Sequence, residues 1–510
     1  MAGFPDGVFP VQSYRRQEGA LMLRKIKFIG TCGLAAIGLA AVAVPTGAVE
    51  TVPAPAAAPA AADTMSSQTA AQHLSQAVQI RTVSYEDKPS PDPDSLAAFK
   101  TFLETTYPAA HQAMTRTEVD THALLFTWPG SDPQAKPIIF LAHMDVVPAE
   151  EQGDIKWQHP AFSGLIADGR IYGRGSIDMK GQLVSLFEAL ETLAKAGFKP
   201  RRTIYVGLGS NEETDGRGAQ AIAAWLRAHQ VHAEFVLDEG PVVLDPFELT
   251  NKRAAFVGVA EKGYGTLVVT ATDAGGHSAV PPFDPALVRL SKAVIAIDHM
   301  PIRTGFTDTD RQMLAAVAPD MPGTSKFAID NLWLFGPLVK YRIDGIPAGR
   351  ALLGTTLAPT MMLGATKENE LPAQATAKIN VRIHPRDTAD GLLAEARGRV
   401  AGLKDVTVAW EGTPNPPTPY ASTQSDAYRL LVKHIRDFAG ADIPVAPVLV
   451  FGGTDSRYYA DLVDDTYRFQ PYVLTEAEAG TIHGHDEYLS EQNLSGAIRF
   501  FHGFIQDAAQ

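Results

Sequence analysis

The sequence predicts an α/β fold: a mostly parallel-sheet domain with helices on both faces, interrupted by a smaller βαββαβ domain of ferredoxin-like order. Three observations carry this expectation. Short apolar runs alternate with amphipathic stretches of helical period over residues 138–237. Over residues 265–410 the order changes to β-α-β-β-α-β, and from about Pro416 the first pattern returns. Alternating strand and helix implies a parallel sheet, and a split-βαβ unit between its two halves implies an inserted domain.

Met22 stands before Arg24, Lys25 and Lys27, an apolar run over residues 28–44, and the small residues Thr46 and Ala48. Charged, apolar and small in that order is a secretory signal over residues 1–48. An exported protein follows, with an uncleaved membrane anchor as the alternative. Residues 49–65, mostly Ala, Pro, Thr and Val, read as a linker. The folded chain is expected from Ser66, with helices over residues 70–78 and 96–105.

Residues 138–141 form a short buried strand, and residues 181–196 a helix with Leu183, Leu186, Phe187, Leu190 and Leu193 on one face. Strands over 203–208 and 234–237 flank a helix over 218–229. The larger domain therefore takes residues 66–260 and 416–510, ending in a helix over 494–505. The inserted domain, a lid or dimerisation unit, takes residues 261–415. Its strands fall at 265–271, 355–363, 375–383 and 406–410, and its helices at 285–297 and 388–401. Residues 300–350 lack a clear period and read as an insertion.

Composition narrows the chemistry. A net charge of -13 argues against nucleic acid, whose phosphates need a basic face. The single cysteine, Cys32, lies in the apolar run. A chain without it has no disulfides or thiolate ligands, so any metal site must use His, Asp and Glu. Gly173-Arg-Gly-Ser176 lacks the spacing and ending of a phosphate loop. The acidic and histidine residues instead cluster at strand ends. His143-Met-Asp145 follows the first strand, Asn211-Glu212-Glu213 the second, and Asp238-Glu239 the third. Asp178 lies in a glycine-rich loop before a helix, and His483 comes late in the chain. Sites in open α/β sheets form at the carboxyl ends of strands, so these groups should converge. Any one of these motifs alone is more often an ordinary turn.

Together they resemble the two-zinc metallopeptidase family that includes carboxypeptidase S, aminoacylase, glutamate carboxypeptidase and succinyl-diaminopimelate desuccinylase. The resemblance runs from about Leu74 to the C-terminus. It is carried by Leu141-Ala-His-Met-Asp-Val-Val-Pro148, the stretch 172–181, Ser210-Asn-Glu-Glu-Thr214 and Leu237-Asp-Glu-Gly240. Gly275-Gly-His-Ser278, the stretch 369–382, Gly452-Gly-Thr-Asp-Ser456 and His483-Gly-His-Asp-Glu487 complete it. Leu-Asp-Glu-Gly and Gly-Gly-Thr-Asp-Ser look closest to the carboxypeptidase S branch.

The resemblance implies two zinc ions per subunit, with cobalt or manganese as substitutes. His143 and Asp238 would hold one ion, His483 and Glu213 the other, and Asp178 both. Glu239 competes with Asp238, because relatives differ over which position is used. Asp145 would orient the ligands, and Glu212 would act as general base toward a metal-activated water. His277 would donate to the carbonyl oxygen, reaching across a homodimer as in dimeric relatives. Arg382 would grip a substrate carboxylate, with Asn369 and Gly453 as secondary contacts. The family motif usually has Asp where this chain has Asn211. Of the other histidines, His485 reads as a neighbour of the site, and His384, His159 and His111 as surface residues. The implied activity is cleavage of an amide next to a free carboxylate, on a small peptide or N-acyl amino acid. A desuccinylase-type enzyme and a non-catalytic binding module on the same fold are the rivals.

Overall fold

A computed structural model describes residues 61–86, 91–120, 122–149 and 157–510. The signal or anchor over 1–48, and the linker up to residue 60, lie outside the described residues. The first helix, Ala61–Gln79, starts within the stretch expected to be linker. Among the described residues no helix is long and apolar enough to cross a membrane.

The strand Ile138–His143 explains the architecture. All six of its residues are buried, and alternate side chains enter different cores. Ile138, Phe140 and Ala142 join the larger core, built with helices Lys180–Lys195 and Glu491–Ala508. Ile139 and Leu141 join a second core with Ile222, Ala223 and Leu226 of helix Arg217–Ala228. A strand covered on both faces has no polar side, hence its unbroken apolar run. Parallel strands Ile204–Gly209 and Ala233–Asp238 flank it.

The whole sheet has ten strands. Thr115–Val119 and Ala123–Trp128 add an antiparallel hairpin beyond Ile204–Gly209. Beyond Ala233–Asp238 come Val463–Arg468, Lys252–Glu261, Val243–Phe247 and Val473–Leu474, with Val445–Val450 parallel to Lys252–Glu261. The chain's last hundred residues thus complete a sheet begun in its first half.

A separate four-stranded sheet has the order Thr356–Leu363, Gln374–Ile383, Gly263–Thr272, Val406–Trp410. Neighbours are antiparallel, and helices Ala286–Asp298 and Ala389–Val400 contribute to its core with Leu290, Ile297, Leu392 and Ala396. This is the split-βαβ order.

Residues 300–350 differ from expectation. They are helical, as Asp308–Val317, Gly323–Asp330 and Leu332–Asp344, followed by Pro347–Leu353. Proline and glycine break the stretch into short pieces, and Leu332–Asp344 is apolar on more than one face, so no single period shows. The segment's Met313, Leu314, Val317, Ile343 and Leu352 join the large sheet's core. Thr307 and Asp310 close a reciprocal cap on the first of these helices.

Phe140 packs its ring edge-on against Phe235, Phe501 and Phe504, at centroid distances of 6.3, 6.5 and 6.1 Å. It therefore ties the central strand to the C-terminal helix. Phe140→Ala should cost about 3–5 kcal/mol, read as a lower urea midpoint, whereas truncating the exposed Lys404 should change it by less than about 0.5 kcal/mol.

Candidate metal centre

Three strands deliver acidic or imidazole groups to one place. His143 and Asp238 are the last residues of their strands, and Glu212 and Glu213 follow Ile204–Gly209 by a short turn. Asp178 comes from the loop before helix Lys180–Lys195, and His483 follows the short helix Glu476–Ala479.

Asp178 joins the two imidazoles. Its Oδ1 lies 3.3 Å from His143 Nε2 and its Oδ2 lies 3.1 Å from His483 Nε2. Glu213 Oε2 is also 3.1 Å from His483 Nε2. On the other side, Glu239 Oε1 is 3.5 Å from His143 Nε2, with a Glu212 oxygen close to both. The adjacent glutamates therefore point to different ends of the cluster. His143 Nδ1 lies 2.9 Å from the Asp145 carbonyl, a bond in which the ring donates and which leaves Nε2 facing the carboxylates.

Asp238 and Glu239 resolve against the sequence expectation. Asp238 accepts from the backbone N–H of Glu239 and of Ser456, both at 2.8 Å, so each of its oxygens is taken. Glu239 is the one that faces His143. Successive residues at a strand end project to opposite sides, and only one of the pair can reach the cluster.

Around this cluster lies a scaffold of buried polar groups. Asp145 accepts from the N–H of Glu212 at 3.1 Å and of Glu213 at 3.2 Å, and from Ser84 Oγ at 2.6 Å. Glu487 accepts from the N–H of Ile177 at 2.8 Å and of Asp178 at 3.2 Å, while Arg174 Nη1 donates to its other oxygen at 2.6 Å. Asn211 turns away, bonding Asp215 and the Gly218 N–H, so its departure from the family's Asp touches the turn rather than the cluster. Gly209 is needed because a Cβ there would collide with the Asp455 carboxylate.

Electrostatics make the cluster cation-seeking. Burial, then the negative neighbours, push the Glu212, Glu213 and Glu239 carboxyls above the ordinary range. Burial opposes ionisation of Asp178 too, but His143 and His483 outweigh it and hold this carboxyl well below the ordinary range. Burial alone would lower both imidazoles. The surrounding carboxylates reverse that, raising His143 strongly and His483 to about 11. Glu213 Oε1 and His483 Nε2 are buried without a partner in hydrogen-bond geometry. Oxygen and imidazole donors within 4.8 Å of one another, with orphaned lone pairs and no thiolate, fit a divalent ion of the zinc type. The groups close enough to hold an ion are His143 with Asp178 and Glu213, and His143 with Glu212 and Glu239, while His483 Nε2 stands 3.1 Å from both Asp178 and Glu213.

The cluster opens into a cleft of about 980 Å³, counting the open space at its mouth. Asp178, Glu212, Glu213, Glu239 and His483 lie at one end, with Gly452, Gly453 and Thr454 alongside. The remaining lining is mostly apolar, with Phe247, Phe256, Met313, Leu352, Val448 and Leu449 among its residues and Gln470 as a polar one. Glu261 holds the rim, accepting from Thr454 N–H at 2.9 Å, Thr454 Oγ1 at 2.6 Å and Arg468 Nε at 2.6 Å.

Three expected contacts are not brought to this cleft within one chain. His277 is exposed, on the two-residue strand Gly276–His277 paired with Glu370–Leu371. Asn369 is exposed beside it, and Arg382 lies over the Tyr264 ring at 4.7 Å. His485 faces Trp157 rather than the cluster, and His384 is buried, not a surface residue. Glu487 was visible in the sequence only as the end of the His483 motif. The Glu261–Arg468 pair left no local signal, since its members are 207 positions apart.

A family model described as Peptidase family M20/M25/M40 matches residues 139–507, which include every residue of the cluster. The chain belongs to this family. It is an M20 hydrolase of carboxypeptidase or N-acyl-amino-acid hydrolase type, in a metal-dependent family. Among similar proteins, the mouse N-fatty-acyl-amino acid synthase/hydrolase PM20D1 is 35% identical over 85% of this chain and 87% of its own length. A probable carboxypeptidase S-like 2 of Dictyostelium discoideum is 33% identical over 87% and 86%. An M20 metallo-carboxypeptidase from Sulfolobus solfataricus has the same fold, with a TM-score of 0.63 at 15% identity over 86% of this chain and 98% of its own.

The clasp by Glu487 on the Asp178 loop can be tested through metal affinity. Glu487→Gln should weaken zinc binding by about 10–100-fold in competition with a chelating dye, with the circular-dichroism spectrum retained.

Proposed function

We propose that this M20 enzyme is exported and zinc-dependent, and that it hydrolyses N-acyl amino acids carrying a long apolar acyl chain. The observation that carries the reading is the cleft: a cation-seeking cluster at one end and a wall of Phe, Leu, Val and Met leading away from it. A peptide backbone in such a channel would leave its amides unpaired, whereas an alkyl chain loses nothing there. The mouse relative, an N-fatty-acyl-amino acid synthase/hydrolase, supports the same choice. A succinyl group would want a cation at the far end, where Phe247, Phe256, Val448 and Leu449 offer none. A non-catalytic module is disfavoured because every residue the chemistry needs is present.

His143, Asp178 and Glu239 would hold one zinc, and His483, Asp178 and Glu213 the other. When bound, the two ions polarise the scissile carbonyl and acidify the attacking water. Glu212, whose carboxylate stands beside His143 and Glu239, takes the water's proton and hands it to the leaving amine. Asp145 fixes both glutamates by their backbone, so base and ligand keep their separate aims. The amino-acid carboxylate would lie by Gly452 and Gly453.

His277, Asn369 and Arg382 would serve a second subunit's site in a homodimer. The edge strand Thr356–Leu363 supports this: it pairs on one side only, and Met361, Met362 and Leu363 are exposed along it. Leu287, Val288 and Ile295 of the neighbouring helix Ala286–Asp298 are exposed as well.

Each methylene drawn from water into the channel is worth about 0.8 kcal/mol, roughly fourfold in kcat/KM. N-dodecanoyl-phenylalanine should therefore exceed N-acetyl-phenylalanine by at least about 100-fold. A flat chain-length profile, or a preference for dipeptides, would overturn the acyl reading. Glu212→Gln should lower kcat by about 10²–10⁴ with zinc content retained.

A further inference from the structure

We infer that the outer face of helices Gly323–Asp330 and Leu332–Asp344 docks on an anionic lipid surface, seating the enzyme where long-chain acyl substrates partition. Leu332–Asp344 is apolar on opposite sides. Val339 and Ile343 are buried in the large core, and Leu332 and Phe335 pack against it. Yet Trp333 is 81% exposed, Leu334 56%, Leu338 54% and Tyr341 75%, and Phe327 of the preceding helix is 60% exposed. Positions 334, 338 and 341 share a face by helical spacing, and Trp333 borders it. A helix apolar on two opposite sides needs a second apolar phase against its outer side, and this one lies at the surface.

Charge and chemistry select the second phase. The chain carries a net charge of -13, but over residues 321–353 the cations Lys326, Lys340, Arg342 and Arg350 outnumber Asp330 and Asp344. Lys326 pairs with Asp330 and Lys340 with Asp344, while Arg342 and Arg350 are exposed. An apolar face with Trp and Tyr, bordered by arginine, matches the interface of an anionic bilayer. The helix that carries the face is also linked, through its buried side, to the cleft wall. Leu332–Asp344 packs on Pro347–Leu353, which supplies Leu352 to the cleft wall, and the same segment supplies Met313. A chain taken from the membrane would thus pass from lipid to a channel walled by the docking segment. The choice of lipid over a protein partner rests in part on the acyl-substrate reading.

The test uses the full chain and no substrate. Vesicles of phosphatidylethanolamine and phosphatidylglycerol with brominated acyl chains quench only tryptophans that reach the hydrocarbon. The quenched emission should be the component that Trp333→Phe removes. The double variant Leu334→Glu and Leu338→Glu should weaken this docking at least about ten-fold, with N-acetyl-amino-acid turnover unchanged as a check on folding. Absence of Trp333 quenching, or undiminished docking of the double variant, would overturn the proposal. So would sedimentation in which the double variant turns a dimer into a monomer, because a second copy would then be what covers the face. Vesicle binding is read without turnover, so its failure leaves acyl-amide hydrolysis standing, and the reverse holds.

Discussion

Asp178 held between His143 and His483 is the contact on which the rest of the site depends. The two imidazoles come from positions far apart in the chain, and one carboxylate meets both within 3.3 Å. Three further carboxylates, Glu212, Glu213 and Glu239, share the same desolvated space. Like charges so close cannot all ionise without a compensating cation. Their upward shifts, and the strong rise of both imidazoles, express one shortage of positive charge. Divalent ions answer that shortage, and the scaffold around Asp145 and Glu487 keeps the carboxylates from relaxing away from it.

The fold makes this crowding possible. A parallel sheet buried on both faces ends several strands at one edge, and the turns beyond them need not pay attention to the core. The late segment returns to the same sheet through Val463–Arg468 and then brings His483 and Glu487 to the edge. Residues 300–353 supply Met313 and Leu352 to the lining of the cleft.

The strand-end motifs made most of the cluster legible in the sequence. His143, Asp178, Glu213 and His483 fall together because each sits where a strand or loop must end at the same edge. The α/β order and the four-stranded sheet followed from period and alternation. Other features were not legible for physical reasons. Asp238 and Glu239 are adjacent, and which one faces inward depends on the backbone N–H of Ser456, more than two hundred positions away. Strand Thr115–Val119 is mostly polar, as an edge strand can be, and so gave no signal. Of the helices after Met300, Leu332–Asp344 is apolar on more than one side, which erases the single stripe that reveals a surface helix.

The most direct test is the zinc stoichiometry of the purified chain beside Asp238→Asn and Glu239→Gln, measured by elemental analysis after dialysis. The cluster described here predicts two zinc ions per chain for the wild type and for Asp238→Asn, and loss of one for Glu239→Gln. A wild-type chain that retains no zinc, or a loss that follows Asp238 instead of Glu239, would contradict it.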